Sequence, residues 1–366
     1  MIQNGHLQVY ELTLTTRSPL FIGSGKVCGK AEYVFDPRRS TVMMIDPDRF
    51  LPYLLEHRLL DSYEKFVFSG MTDMNGFFRS CSIPDEEVRA LSYYTVNAAD
   101  ALDASHSLKE IHSFVRDAAH RVYVPGSSVK GALRTVLLEQ MIEQERKGSW
   151  PRETNKAKNA RLMQQLEGEY LNTLALKKDR SGSAVNDAVN SILRGIQISD
   201  SAPVPNNRMM LSGKTDVNSF GEEKKIPLCR ECIVPGTEIC FKLTIDRSVL
   251  KNGFTAETIL AAVSGFDAYY NEYMSGFPTP RSAAGISYDG CLILGGGTGF
   301  FAKSLAYPYL GFDDGLIYTA DTMKRSFRRH KHEDDVGSYG ISPHTAKYGQ
   351  YKGKLYPYGV CEVTLR

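Results

Sequence analysis

The chain has 366 residues, 42% hydrophobic and 23% charged, a balance that suits about two folded domains and excludes a peptide, a disordered tail or a collagen-like chain. Lys and Arg total 44 against 42 Asp and Glu, so a net charge of +2 advertises neither a nucleic-acid nor a membrane partner, and any basic function is local. No apolar run approaches the ~18 residues that cross a bilayer and no signal-like segment opens the chain, so a cytoplasmic protein without a membrane partner is expected, its seven scattered cysteines reduced and mostly buried.

Val9, Leu12, Leu14 and Thr16, interleaved with Tyr10, Glu11, Thr13 and Thr15, predict a half-buried first strand. Residues 23–30, from Gly23-Ser24-Gly25-Lys26 to Gly29-Lys30, read as a glycine-rich loop, and residues 33–35 and 41–45 as a hairpin. From Pro47 to about His120 three-to-four spacing predicts mainly helix, including Ile111, Val115 and Ala118. Residues 121–124 read as a short strand, Pro125-Gly126 as a turn, and Ser127 or Ser128 as the N-cap of a helix. Its apolar stripe is Val129, Ala132, Leu133, Val136, Leu137 and Met141. Residues 147–180 are charged and amphipathic in places, with a loop at 177–183, and a boundary near Gly195 divides the chain into 1–195 and 196–366. Beyond it, residues 196–200 and 239–245 alternate as strands, and residues 256–274 have helical spacing that Pro278 stops. Leu292-Ile293-Leu294 runs into Gly295-Gly296-Gly297-Thr298-Gly299, and residues 359–365 form a last alternating strand.

Gly23-Ser24-Gly25-Lys26 is not a P-loop, because Leu20 stands where the first glycine belongs and Val27 where Ser or Thr must hold the metal. Residues 295–299 also fail the dinucleotide pattern, since Phe300 or Lys303 falls on a required glycine. A tight strand exit and backbone approach to a phosphate chain both remain open there. Ser127, Ser128, Lys130 and Arg134 bring hydroxyls and two cations to a helix start, an anion-binding combination, although an ordinary capped core helix has the same pattern. Gly131 inside that helix costs about 1 kcal/mol against Ala, which implies that something approaches its backbone. Cys229-x-x-Cys232 lacks a second ligand pair, so no metal site is expected. Between Lys324 and Lys354 eight cations, Arg325, Arg328 and Arg329 among them, meet three acids, with Phe327, Tyr339, Tyr348 and Tyr351 interleaved. That mixture suits single-stranded RNA, while a solvated charged helix is the plain alternative. His330 and His332 belong to this run and read as a phosphate-tracking surface. No nucleophile constellation appears, so no catalytic residue and no cofactor are expected.

Four segments in order, LTLTTRSPLFIGSGK, YVPGSSVKGALRTVLLE, IPLCRECIVPGTEICFKLTID and LGGGTGF, resemble a repeat-associated mysterious protein (RAMP) of the type that ends the crRNA filament in type III-A CRISPR effector (Csm) complexes. The resemblance implies an α+β fold of two ferredoxin-like, RRM-type units with helical insertions. It implies a non-catalytic subunit capping the crRNA 3′ region and supporting its maturation in antiviral defence. The implied neighbours are the backbone RAMP subunit, the small helical subunit, target RNA and host nucleases that trim the guide. By motif match the leading RNA contacts are Ser127, Ser128, Lys130 and Arg134 at the helix entrance and Gly295, Gly296, Gly297 and Gly299 in the glycine loop; Gly23, Ser24, Lys26, Thr298 and Lys303 beside these motifs and Arg325, Arg328 and Arg329 of the basic run are expected to join them. In the third segment the match rests on Glu231, Pro235, Gly236 and Thr237, which makes the CxxC incidental. The related backbone subunits that cut target RNA carry an Asp in the loop after the first strand, whereas residues 23–31 hold no carboxylate. The alternative is a metal-independent crRNA-processing endoribonuclease using His112 or His120 as general acid or base.

Overall fold

A computed structural model describes residues 1–70, 73–102, 108, 110–145, 156–250 and 254–366. The chain opens with a hairpin, β1 (Ile2–Asn4) and β2 (Leu7–Thr16), turned at Gly5. Strands β3 (Gly23–Cys28), β4 (Tyr33–Asp36) and β5 (Thr41–Ile45) follow. Four helices come next, α1 (Pro47–Glu56), α2 (Leu60–Phe68), α3 (Met74–Ser80) and α4 (Asp85–Ala90). Phe50, Leu54, Phe66, Phe77 and Phe78 from these helices pack against Val34, Met43 and Ile45 in a separate small core, with edge-on rings such as Phe50 and Tyr63 at 5.1 Å.

Residues 92–97 and 110–114 are strands β6 (Ser92–Asn97) and β7 (Glu110–Phe114), not the predicted helix. The spacing of four between Ile111 and Val115 fits one face of a strand as well as one face of a helix, and pairing of β7 with both β3 and β10 decides the matter. The glycine-rich segment at 23–28 is likewise an edge strand rather than a loop. Residues 121–124 make single bridges from Val122 to Arg116 and Val204, not a strand. Helices α5 (Gly126–Glu145) and α6 (Lys156–Leu171) follow; the charged stretch at 146–155 lies outside the described residues.

The remainder comprises β8 (Ile196–Ile198), the long hairpin β9 (Met209–Asn218) and β10 (Glu223–Ile233), β11 (Glu238–Asp246) and α7 (Ala256–Ser275). A capping box between Thr255 and Thr258 starts α7. Then come β12 (Cys291–Ile293), α8 (Ala306–Leu310), α9 (Phe312–Ser326), the hairpin β13 (Thr345–Tyr351) and β14 (Lys354–Pro357), and β15 (Val360–Leu365). One sheet runs β12-β15-β2-β11-β8, with β1 added to β2; α5 and α7 pack against it and each other. The second runs β3-β7-β10-β9-β6-β5-β4, and β13, carrying β14, also joins β9. Each sheet takes strands from both sides of residue 195, which interlocks the two halves of this α+β fold.

Candidate nucleic-acid interface

Three segments far apart in sequence meet in one groove of about 410 Å³, lined by Gly23, Ser127, Ser128, Gly131, Gly295, Gly296 and Lys303 together with apolar neighbours. One wall is the first turns of α5. The helix begins at Gly126 rather than after a serine cap, because the Gly126 N–H donates to Asp200 Oδ1 at 2.8 Å. A Cβ at Gly126 would run into the carbonyls of Ile198 and Ser199. The anion at this helix start is therefore the protein's own, which removes one expected amide from any ligand, and Ser127 and Ser128 lie inside the first turn. Gly131 faces outward, and a Cβ placed there would meet nothing within 4 Å. The helix-weakening glycine has no explanation inside the chain.

The facing wall is the loop after β12. Gly295, at φ +86°, has no room for a side chain beside the Phe21 carbonyl, and the Gly296 N–H donates to that same oxygen at 2.7 Å. Thr298 closes the loop by donating to the Gly295 carbonyl at 3.2 Å. These glycines first bring the loop against residues 19–22, and Gly296 has no N–H left for a phosphate. Gly299, at φ +88°, has open space around it. Lys303 ends the wall with an exposed side chain whose pKa burial of its surroundings pulls down.

Other expected contacts lie outside this lining. Lys130 is half-buried and pulled down by desolvation. Arg134 is held in a forked pair by Glu167 of α6. Ser24 donates to the Ser113 carbonyl at 3.2 Å, and Lys26 pairs with Glu32 at 3.0 Å. Arg325, Arg328 and Arg329 sit at and beyond the end of α9 and do not line the groove. A Cβ at Gly297 would press on the Tyr358 ring and sit close to Arg230 Nη1. His120 is exposed, its ring tilted against that of Tyr93 with centroids 3.9 Å apart, while His112 stands on β7 beside Arg230. Burial first, then Arg230, lowers the His112 pKa.

The remaining motifs have structural roles. Glu231, fully buried, accepts from Tyr94 Oη at 2.6 Å and the Phe114 N–H at 2.8 Å and lies 3.6 Å from Arg116, so it ties β10 to β6 and β7. Gly236 and Thr237 donate backbone N–H groups to Thr16, fixing the end of β2. Cys229 and Cys232, three apart on one strand, point to opposite faces and cannot share an ion. The charged run hides a cluster that sequence reasoning missed. Asp335, fully buried, accepts from His332 Nδ1 at 2.9 Å, His344 Nδ1 at 2.6 Å and Ser342 Oγ at 2.6 Å. Two histidines and a carboxylate are metal-ligand types, but here three donors from the chain satisfy the carboxylate. His332 is thus an internal anchor rather than a phosphate-tracking side chain.

Comparison with known proteins adds two relatives, two solved structures and a family model. A protein of Mycobacterium tuberculosis (strain CDC 1551 / Oshkosh), described as CRISPR system Cms protein Csm5, is 27% identical, covering 99% of each chain. A protein of the same description from Enterococcus italicus is 27% identical over 82% of this chain and 80% of its own. In structure the chain is similar to a chain of a cryo-EM Csm-crRNA-target RNA ternary complex of a type III-A CRISPR-Cas system, with a TM-score of 0.61, 19% identity and coverage of 97% and 100%. It is also similar to a crystal structure of T. onnurineus Csm5, with a TM-score of 0.63, 17% identity and coverage of 96% and 99%. The family model described as the RAMP superfamily matches residues 13–298, which takes in the end of β2, α5, β10 and the loop after β12 as far as Thr298; the chain belongs to the RAMP superfamily.

Proposed function

We propose that the chain is a non-catalytic RNA-binding subunit that caps the 3′ region of the crRNA in a type III-A CRISPR effector complex. It would stand beside the backbone RAMP subunit and the small helical subunit, near target RNA, and support trimming of the guide by other nucleases. The observation that carries this reading is the groove: three motif segments converge on it, and its helical wall bears a glycine whose outer face is open. The Csm5 relatives and the likeness to a chain of a crRNA-bound complex support it. Residues 23–31 offer no carboxylate for target cleavage.

The test is to isolate the tagged protein from its own cells, treat it with nuclease, and sequence the protected RNA. Short repeat-and-spacer RNAs with RAMP partners are expected, and Gly131→Trp combined with Lys303→Glu should release them or leave ragged 3′ ends. Recovery of the protein alone, without RNA, would overturn the reading. The endoribonuclease alternative has one feature in its favour, a His112 held toward its neutral form, as a general base requires. Purified protein incubated with repeat RNA should leave it intact; a specific cut lost in His112→Ala would establish the enzyme instead.

A further inference from the structure

Strand register fixes which side chains share a face. On the second sheet Arg230 of β10 lies opposite His112 of β7 and Ser212 of β9. Further along β9, Lys214 and Asp216 lie opposite Gly349 and Lys347 of β13. Alternation therefore puts His112, Arg230, Ser212, Lys214 and Lys347 on one face. Lys303 of the groove wall acts on Lys347, whose pKa is lowered by burial, then by Lys214 against the opposing pull of Asp216, then by Arg230 and Lys303. Asp216 pairs with Lys214 at 2.9 Å. Among the described residues Arg230, Lys303 and Lys347 form no ion pair.

Arg230 is the most exacting of these. Its Nε and Nη1 are shielded from solvent and have no hydrogen-bond acceptor. The guanidinium lies over the rings of Phe21 and Tyr358, at 5.4 and 5.0 Å, which eases its charge but gives Nε and Nη1 no acceptor. Gly297 keeps space beside it: a Cβ there would sit 3.3 Å from Nη1. A crowded lysine relieves itself by losing a proton, whereas a guanidinium stays charged and keeps its fork of donors. What complements that group is a planar or tetrahedral oxyanion.

We propose that Arg230, with Lys347 and Lys303, holds one phosphodiester of the RNA strand that occupies the groove, so that the strand passes from Gly131 over the glycine loop onto the sheet face. This rests on the RNA-binding reading above. The full chain is titrated with labelled single-stranded repeat-spacer RNA across a salt series, as wild type, Arg230→Gln, Lys347→Met and Gly131→Trp, with melting curves as the check on folding. Arg230→Gln is expected to weaken binding about tenfold at 0.1 M salt and to flatten the log–log slope by about 0.7, the value for one phosphate on a single strand. Lys347→Met should flatten it likewise and stands in if Arg230→Gln does not fold. Unchanged slopes in both variants overturn the phosphate site, and if Gly131→Trp still abolishes binding the RNA reading survives that failure. Flattened slopes with unimpaired binding by Gly131→Trp keep the phosphate site and remove the groove. Inorganic phosphate alone supplies the last arm: if it raises the melting temperature of wild type but not of Arg230→Gln while RNA slopes are unchanged, the face binds a free anion and the proposal falls.

Discussion

Arg230 and Glu231 are neighbours in sequence and opposites in circumstance. Glu231 points to the side of β10 where a tyrosine hydroxyl, a backbone N–H and Arg116 surround it, while Arg230 points to the side where aromatic rings and other cations do. A third buried charge, Glu139 on α5, takes a different course: neither carboxylate oxygen has a partner, and burial, with a small push from Glu143, lifts its pKa to about 8. A carboxyl without partners keeps its proton, whereas an arginine whose Nε and Nη1 lack acceptors cannot shed its charge. The difference separates charge that holds the fold from charge left for a ligand.

The largest effect should come from breaking the satisfied side. Glu231→Gln leaves Arg116 buried beside an uncharged group and should cost about 3–5 kcal/mol, read as a lower urea midpoint with an unchanged m-value. Glu139 tests the middle case through pH. Because its folded pKa exceeds the ordinary 4.5, its contribution to stability is fully present below about 4.5 and is lost as pH rises to about 8, at about 1.4 kcal/mol per pH unit between them. Glu139→Gln should remove that fall, so its melting temperature should exceed that of wild type at pH 8 and approach it at pH 5.

Asp335 repeats the logic of Glu231 in a loop. Burial raises its pKa, but hydrogen bonds from His344, Ser342 and His332 bring it below its ordinary 3.8. Its contribution is present above that value and lost as pH falls through the folded one. Asp335→Asn should cost about 1–3 kcal/mol at neutral pH and flatten the acid limb of the melting curve below pH 4. The smallest effect belongs to the open side: Arg230→Gln should leave the melting temperature unchanged or slightly higher in the absence of RNA, and a fall as large as that of Glu231→Gln would erase the contrast.

The sequence disclosed the walls of the groove because residue type alone marks them. Glycine is conspicuous within the helix at Gly131 and in the run before Phe300, whatever the fold does with it. Asp200 at the head of α5 was hidden because it sits 74 residues from the amide it serves. Arg230 and Lys347 were hidden for a related reason: they become neighbours through the register of β10, β9 and β13, which no local pattern encodes. The strand at 110–114 was misread because residues four apart share a face in both kinds of element. Arg134 carried the right chemistry for an anion, and only the placement of α6 revealed Glu167 as the group it meets.

The position of β2 has a consequence for synthesis. Besides the short β1, its neighbours in the sheet are β11 and β15: Thr13 meets Cys240, 227 residues away, and Arg17, just beyond the strand, meets Glu362, 345 residues away. At roughly 5–20 residues per second a ribosome needs about 20–70 s to deliver the second partner. Throughout that interval Leu12 and Leu14, nearly solvent-free in the finished protein, belong to a strand with at least one unpaired edge. A strand made early is thus among the last completed, which leaves it open to mispairing until the end of synthesis.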